Sequence, residues 1–244
     1  MHCPLQSVRG AGAKSRKGFS LAGICAIIPA YNEEERIASV VAGASKFVDA
    51  VVVVDDGSTD RTASAAEAAG ATVVRHARNL GKGRALETGL GHAAGHGFAA
   101  AITLDADGQH DPDEIPRFTE KFAAAGADVI VGTRMHDRAG MPWIRILTNF
   151  VTSVVVSLIA GRRITDSQSG YRLLKCATAA RLPVSGARFD AEPELLVKAA
   201  RRGLRIEEVP VSTIYRGEKS KINPLRDTCR FVLLALRLIF VDRK

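Results

Sequence analysis

The stretch AITLDADGQH, residues 101–110, places an apolar run directly before two aspartates that are two positions apart. A short strand over this run would carry Asp105 and Asp107 to its carboxyl end, where both side chains face one crevice. Two carboxylates there repel each other and repel phosphate, so the pattern favours a bound divalent cation. Hard oxygen ligands suit Mg²⁺ or Mn²⁺, which complete their shells with substrate phosphates. Taken alone, the motif also fits a plain Asp-Gly turn after a strand.

Length and composition limit the class of protein. The chain has 244 residues, of which 46% are hydrophobic and 25% charged, as in an ordinary globular domain with a buried core. The net charge of +8 favours an anionic partner, which could be nucleotide phosphate, nucleic acid or a membrane surface. Four cysteines lack metal-ligand spacing, so we expect reduced thiols and a cytoplasmic location. No apolar run reaches the roughly 20 residues that a bilayer requires.

Apolar runs alternate with helical patterns along the chain. Five strands are predicted, at Ile24–Ile28, Val51–Val54, Ala71–Val74, 101–104 and Val129–Val131. This alternation predicts an α/β fold with a mostly parallel sheet and helices on both faces. Asn32 is expected to cap the first helix, and Ser58 or Thr59 to begin the second. We expect a flexible basic tail over 1–22, one domain over 23–224 that divides at residue 107, and a basic amphipathic helix over 225–244.

Polar side chains follow three of the predicted strands. Tyr31 and Glu33 follow the first strand and Asp56 the second, while Asp105 and Asp107 follow the fourth. Open parallel sheets bind ligands at their carboxyl edge, so these residues are expected to share one crevice. Asp56 suits a nucleobase N–H, and Asp105 or Glu33 suits ribose hydroxyls, although each could instead cap a helix or stabilise a turn. For Asp55 the turn role is favoured.

Four motifs then occur in a recognisable order: Pro29-Ala-Tyr-Asn-Glu33, Val54-Asp-Asp-Gly-Ser-Thr-Asp60, Asn79-Leu-Gly-Lys-Gly83 and Asp105-Ala-Asp-Gly-Gln109. This set resembles the successive motifs of family 2 glycosyltransferases with the GT-A fold. Val131-Gly-Thr-Arg134 and Thr165-Asp-Ser-Gln-Ser-Gly-Tyr-Arg172 are similar to the dolichyl- or polyprenyl-phosphate mannosyltransferase branch. The resemblance covers about residues 23 to 224 and implies a nucleotide-sugar donor.

The resemblance also implies roles for individual residues. Donor binding falls to Pro29, Tyr31, Glu33, Val54, Asp56, Asp105, Ala106, Arg134, Arg216 and Lys221. Asp107 and Gln109 would ligate Mg²⁺ or Mn²⁺. On the acceptor side the implied residues are Gln168, Ser169, Arg172 and Lys219. The basic loop Arg216-Gly-Glu-Lys-Ser-Lys221 is one residue tighter than the family's usual spacing.

The chemistry of transfer assigns catalytic roles. Negative charge grows on the leaving diphosphate, and the metal at Asp107, with Arg134 and a cation of the basic loop, can stabilise it. A hydroxyl acceptor needs a base, for which Asp166 is the best candidate. Asp166 could equally orient Arg172 or cap a turn. A lipid monophosphate, with a second pKa near 6, is already a nucleophile at neutral pH and needs no base.

Two amphipathic segments bear on the acceptor. The C-terminal helix, Leu225–Phe240, favours an anionic membrane interface over packing on the sheet or in a homodimer, whereas Trp143–Ala160 leaves these alternatives even. We therefore expect an inverting, metal-dependent enzyme that moves a hexose from a nucleotide sugar of the GDP-mannose or UDP-glucose type to a polyprenyl phosphate. It would be peripheral on the cytoplasmic face of the membrane.

Two rival functions remain at this stage. The first keeps the same donor chemistry but uses a saccharide or small hydroxyl acceptor. The second is a non-catalytic basic module that binds membrane or nucleic acid. Nucleic acid is not expected as a partner, because aromatic residues make up only 5% of the chain and are not interleaved with the basic residues.

Overall fold

The computed structural model describes residues 23–135, 143–179, 182, 191–212, 214 and 224–240. The described strands are β1 (Ile24–Ala30), β2 (Ala50–Asp55), β3 (Thr72–Arg75), β4 (Ala100–Thr103), β5 (Val129–Thr133), β6 (Arg172–Lys175) and β7 (Ile206–Pro210). The described helices are α1 (Ile37–Ala44), α2 (Thr62–Ala68), α3 (Lys82–Gly95), α4 (Ile115–Ala125), α5 (Trp143–Ala160), α6 (Cys176–Ala179), α7 (Ala191–Arg201) and α8 (Pro224–Phe240).

All seven strands belong to one sheet, in the order β3-β2-β1-β4-β6-β5-β7. Six of them run in the same direction, and β6 alone is antiparallel to its neighbours β4 and β5. The predicted α/β class with a mostly parallel sheet is therefore confirmed. The sequence did not predict β6 or β7, and β6 separates β4 from β5.

Helices cover both faces of the sheet because its central strands are apolar on both sides. In β1, Cys25 and Ile27 pack with α3 and α7, while Ala26 and Ile28 pack with α1 and α4 on the opposite face. Cys25 and Cys176 are free thiols buried in the same cluster. Burial raises the pKa of Cys25 to about 12, so this thiol stays protonated at neutral pH.

Two local predictions for the helix starts were wrong. Asn32 does not cap α1, because its side-chain oxygen accepts the backbone N–H of Thr59 (2.9 Å) and its own N–H donates to Ser58 Oγ (3.0 Å). Helix α2 begins at Thr62, after Asp60 accepts the Thr62 N–H (2.9 Å). The loops after β1 and β2 hydrogen-bond to each other instead of capping their own helices. Both helices therefore begin later in the chain than predicted.

The last helix packs on the domain through one face. In α8, Leu234 and Leu238 are buried in the cluster that also contains Val156 of α5. The opposite face leaves Leu233 and Phe240 exposed. Within the described part of the chain, no helix combines the length and the hydropathy needed to cross a membrane.

Candidate active site

The strand order brings three strand ends to one edge of the sheet. Because β1 lies between β2 and β4, the residues that follow these strands become neighbours, and Pro29 pairs in register with Val54. Tyr31 is 44% exposed at this edge, and Glu33 is half-buried. The side chains of Val54 and Ala106 are buried, so a ligand could reach these two residues mainly through their backbone.

Asp56 holds the loop that leads into α3. Its carboxylate accepts the backbone N–H groups of Leu80 (2.9 Å) and Gly81 (2.7 Å), and Oδ1 lies 2.7 Å from His76 Nδ1. His76 Nε2 in turn lies 2.9 Å from Thr88 Oγ1 on α3. Both oxygens of Asp56 therefore have partners in the protein, and nucleobase recognition by Asp56 stays a prediction. Asp55 has the expected turn role, because it accepts the Ser58 N–H (3.0 Å).

Lys82, the first residue of α3, joins two acids from different parts of the chain. Its ammonium lies 2.7 Å from Asp105 Oδ1 and 2.9 Å from Glu192 Oε1 at the start of α7. Burial alone would lower the pKa of Lys82, but the two carboxylates raise it above the ordinary value. Burial would likewise raise the pKa of Asp105, but Lys82 holds it well below the usual range. Lys82 and Asp105 are therefore both charged at neutral pH.

His110 fixes the turn that follows β4. Its Nδ1 accepts the backbone N–H of Asp105 (3.0 Å), and its ring stacks on Tyr171 with the ring centroids 4.8 Å apart. Burial lowers the pKa of His110 to about 4, so the ring is neutral at pH 7 and keeps Nδ1 as an acceptor. The stack of His110 on Tyr171 thus supports the turn that carries Asp107 and Gln109.

Asp107 and Gln109 lie on that turn, and Asp107 Oδ1 accepts the Gln109 N–H (3.0 Å). Both side chains are half-buried. Within the described residues, no three His, Cys, Asp or Glu side chains converge to hold a metal ion by themselves. One carboxylate and one amide oxygen fit Mg²⁺ or Mn²⁺, which keep most of their positions for phosphate and water. The donor set therefore suits a metal that arrives with its substrate.

Arg134, directly after β5, is held by Asp166 in a two-pronged ion pair. Its Nε and Nη2 donate to the two carboxylate oxygens at 2.8 Å and 2.9 Å, and its backbone N–H donates to Oδ2 (3.2 Å). Asp166 is fully buried. Burial alone would raise the pKa of Asp166, but Arg134 lowers it below the ordinary value. Asp166 therefore orients Arg134 and, in this arrangement, is a weak base.

The implied acceptor residues lie on the segment that leads into β6. Arg172 is buried and donates to three backbone carbonyls, those of Ser167, Ser169 and Glu192. These carbonyls make the direct hydrogen bonds to Arg172, and Asp166 adds a favourable charge interaction with it, so the alternative in which Asp166 orients Arg172 stays a prediction. Gln168 is half-buried, whereas Ser169 is buried and its hydroxyl has no hydrogen-bond partner among the described residues. Arg216, Lys219 and Lys221 lie outside the described residues.

Several residues that build this edge were not found from the sequence. Lys82 stood in a quoted motif without a predicted role, and Glu192 and Glu208 lay outside the quoted motifs. Glu208 of β7 accepts the backbone N–H (2.7 Å) and the hydroxyl (2.8 Å) of Thr165, which fixes the acceptor segment. The motif that contains Lys82 was the available signal. A lysine is unfavourable at the positive end of a helix, so its presence there points to a nearby acid or phosphate.

Comparison with known proteins identifies the fold and the family motifs. Residues 25–180 match the family model described as "Glycosyl transferase family 2". The chain is 33% identical over 212 residues to a UDP-N-acetylglucosamine–dolichyl-phosphate N-acetylglucosaminyltransferase of Methanococcus voltae, which covers 78% of this chain and 84% of the relative. It is 29% identical over 206 residues to an undecaprenyl-phosphate mannosyltransferase of Micrococcus luteus, covering 79% and 84% of the two chains.

Among solved structures, the chain resembles glucosyl-3-phosphoglycerate synthase of Mycobacterium tuberculosis in complex with Mn²⁺ and UDP. The TM-score is 0.70 at 21% identity, and the match covers 93% of this chain and 85% of the other. At this level of identity the likeness shows the fold, and the expected GT-A architecture is confirmed.

Proposed function

The chain belongs to glycosyl transferase family 2, and from this premise we propose that it transfers a hexose from a nucleotide sugar to a polyprenyl phosphate. Transfer inverts the configuration at the sugar C1 and depends on Mg²⁺ or Mn²⁺. The enzyme works as a peripheral protein on the cytoplasmic face of the membrane. The relatives in Methanococcus voltae and Micrococcus luteus support the lipid-phosphate acceptor by their names.

One observation supports a phosphate acceptor over a hydroxyl acceptor. Asp166, the residue best placed in the sequence to act as a base, has both oxygens engaged by Arg134 at 2.8 Å and 2.9 Å. A sugar hydroxyl must lose a proton to react, whereas a phosphate monoester is mostly dianionic at neutral pH. Because the best candidate base at this edge of the sheet is ion-paired with Arg134, the site suits an acceptor that needs no base.

Arg134 stabilises charge on the leaving diphosphate in this proposal. A guanidinium fixed by a bidentate carboxylate cannot swing away, so it needs little reorganisation as negative charge grows. Asp107 and Gln109 would hold the divalent metal, which supplies Lewis-acid stabilisation of the same diphosphate. Lys82 keeps Asp105 ionised, and His110 holds the turn in place through the Asp105 backbone N–H. The basic loop 216–221 stays a predicted further contact.

The membrane contact is proposed to involve α5 together with α8. These helices pack on each other. Their outer faces expose large apolar side chains: Trp143, Ile144, Leu147, Phe150, Val151, Val154 and Leu158 on α5, and Val232, Leu233, Leu236 and Phe240 on α8. We call these eleven side chains the apolar face. Many exposed apolar side chains on two packed helices are typical of a membrane or protein contact, and a lipid-linked acceptor favours the membrane.

The acceptor is tested with one matched pair of lipids. The purified protein is incubated with Mn²⁺, radiolabelled UDP-glucose, UDP-N-acetylglucosamine or GDP-mannose, and either undecaprenyl phosphate or undecaprenol. We expect label in the organic phase with the phosphate and at least 100-fold less with the alcohol. Equal transfer to both lipids, or transfer only to added saccharides, would contradict the proposal.

Membrane contact is tested by flotation with vesicles that contain anionic lipid. Leu233→Glu and Leu158→Glu place charges in the apolar face, and each should release most of the protein from the vesicles. Ala68→Glu is the matched control, because Ala68 is exposed on α2, over the other face of the sheet. If the control and the two test variants float equally well, the apolar face is not the contact.

A further inference from the structure

Glu192 has an unusual environment for a carboxylate. It is only 4% exposed, and neither of its oxygens has a well-aligned hydrogen bond among the described residues. Oε1 makes an ion-pair contact with Lys82 at 2.9 Å, and the nearby Arg172 guanidinium attracts the carboxylate, but Oε2 has no hydrogen-bond donor there. A buried carboxylate oxygen without a hydrogen-bond donor is costly, so native proteins keep such groups where a ligand supplies the donor.

A cavity of about 300 Å³ lies directly against this carboxylate. Glu192 and Gly170 form part of its wall, and the rest is mostly apolar, contributed by Leu86, Leu90, Leu174, Leu182 and Leu195. The volume is at the lower end of the range for small-molecule sites. The cavity is therefore large enough for a compact ligand with a polar edge and apolar faces.

The cavity connects to the strand-end acids through Gly170. A Cβ at this position would lie 2.9 Å from Lys82 Nζ and 3.1 Å from Asp105 Oδ1. Gly170 thus touches the ion-paired cluster and also lines the cavity. A ligand held by its nucleotide at Asp105 and Asp107 would have its next chemical group beside Glu192.

The chemistry of the cluster selects the ligand. Arg172 also lines the cavity, so two acidic side chains, Asp105 and Glu192, face two basic ones, and no excess of positive charge favours a phosphate there. Unpartnered carboxylate oxygens accept hydrogen bonds from hydroxyl groups, and apolar walls suit the C–H faces of a pyranose ring. We propose that Glu192 accepts a hydrogen bond from a hydroxyl of the donor hexose, so that the cavity mouth at Glu192 is the subsite that selects the transferred sugar.

In this subsite Lys82 acts as a positioning residue. By bridging Asp105 and Glu192 it sets the distance between the end of β4 and the first turn of α7. Arg172 supports the same turn, because its Nη1 donates to the Glu192 backbone carbonyl at 2.7 Å. The sugar-binding carboxylate is thereby fixed from both sides before a ligand arrives.

The inference rests on the proposed nucleotide-sugar donor, and equilibrium binding without any acceptor tests it. Titration calorimetry with Mn²⁺ compares UDP with UDP-glucose and UDP-N-acetylglucosamine, and GDP with GDP-mannose. For Glu192→Gln we expect the best nucleotide sugar to lose about 10- to 100-fold in affinity, as for a hydrogen bond to a charged group. The nucleoside diphosphate alone should change by less than about twofold.

Glu194→Gln is the matched control. Glu194 is a fully buried acid of the same helix turn, and its partner is Lys198, at 2.6 Å, outside the cavity wall. It should leave the ratio of nucleotide-sugar to nucleotide affinity unchanged. Glu192→Asp, which keeps the charge but withdraws the oxygens by one methylene, repeats the test if Glu192→Gln does not fold.

Deoxygenated donors identify the hydroxyl and do not depend on either variant. With wild-type protein, one single-position deoxy analogue of the best donor should bind about tenfold more weakly, and the loss should vanish in Glu192→Gln. Equal weakening of nucleotide and nucleotide sugar, or no deoxy analogue with reduced affinity, would overturn the subsite. Failure of lipid transfer with intact sugar discrimination would overturn only the proposed function.

Discussion

Residues 23–107, the predicted nucleotide half, and the described part of residues 108–224, the predicted acceptor half, hold most of their acids in different ways. In the nucleotide half, Asp55 and Asp56 accept backbone N–H groups of loops that follow their own strand or the next one. In the acceptor half, Asp166 is paired with the Arg134 guanidinium, 32 positions earlier, and Glu208 with Thr165, 43 positions earlier. The first half therefore has preformed loops, whereas the second depends on ion pairs and hydrogen bonds between distant segments.

This difference predicts how each half responds to substitution. Loss of an acid that caps local N–H groups costs stability and leaves the rest of the site in place. Loss of an acid that orients a cation also displaces the cation, so its effect passes to a second residue. The first half has two exceptions: Asp105, which is ion-paired with Lys82, and the turn with Asp107 and Gln109, whose side chains are expected to face the metal.

The largest effect is expected for Asp107→Ala. Without this carboxylate the metal loses a protein ligand, and transfer should fall by at least about 10³-fold, since metal stabilisation of the leaving group contributes several kcal/mol. The fold should persist, because Asp107 is only half-buried. Initial rates with saturating donor and Mn²⁺, beside circular dichroism, measure both effects.

Asp113→Ala is the control for this substitution, because Asp113 is an exposed acid six residues further along the same connection. It should retain near-normal transfer. Undiminished turnover by Asp107→Ala would show that the turn after β4 does not hold a metal that transfer requires.

Asp166→Asn tests whether an acceptor-half acid acts through its partner. Removing one member of a buried ion pair costs about 3 kcal/mol of unfolding free energy, and transfer should fall about 10²-fold as Arg134 loses its orientation. In an Arg134→Gln background the same substitution should cause little further loss of transfer. The four proteins of this cycle are compared by urea unfolding and by kcat.

The pH dependence adds an independent readout for this pair. Arg134 lowers the pKa of Asp166 below its ordinary value, which is about 3.9 in model peptides. The pair therefore stabilises the protein fully above that value, and the contribution is lost as the pH falls through the lower folded pKa. In Asp166→Asn the free energy of unfolding should therefore fall less steeply as the pH is lowered through this range. A full rate loss that persists without Arg134 would instead identify Asp166 as a base.

The contrast between the halves also explains how much the sequence could predict. The five predicted strands all form. Four of them are apolar runs that are buried on both faces, whereas β3 is an edge strand with partly exposed residues. The two unpredicted strands, Arg172-Leu-Leu-Lys175 and Ile206-Glu-Glu-Val-Pro210, are short and carry charged residues. Their strand state arises from pairing with β4 and β5, which no local pattern reveals.

The same reasoning applies to the candidate site. The strand-end rule placed Asp56 and Asp105 on one edge because β1 lies between β2 and β4. The bridge from Lys82 to Glu192 spans 110 positions and joins the start of α3 to the start of α7, so spacing could not predict it. Cap positions failed for a related reason, since Asn32 found its partners in the next loop.

A smaller effect is expected for Asp56→Asn in the nucleotide half. The new amide would turn an N–H₂ group towards the backbone N–H of Gly81 or Leu80, which both need an acceptor. An unsatisfied buried donor costs about 1–3 kcal/mol, so the urea midpoint should fall at an unchanged slope. Glu67→Gln, an exposed acid on α2, is the control and should change stability by less than about 0.5 kcal/mol.

Transfer separates this variant from those of the acceptor half. If Asp56 only holds its loop, the loss of kcat at saturating donor should stay below about tenfold once the protein is folded. A fall in transfer as large as that of Asp166→Asn, with no loss of stability, would show that Asp56 contacts the donor directly. The two halves would then not differ in how they respond to loss of an acid.

Two glycines two positions apart on α3 test how tightly this helix packs on the sheet, and one of them, Gly91, gives the smallest expected effect. A Cβ on Gly89 would lie 2.3 Å from Ile27 Cγ2 of β1, so Gly89→Ala forces the helix off the sheet and should cost about 1–3 kcal/mol. A Cβ on Gly91 meets nothing within 4 Å, so Gly91→Ala should stabilise the helix by about 0.5–1 kcal/mol. Thermal unfolding should show opposite shifts, and shifts of the same sign would mean that α3 is not seated on β1 as the preformed loops require.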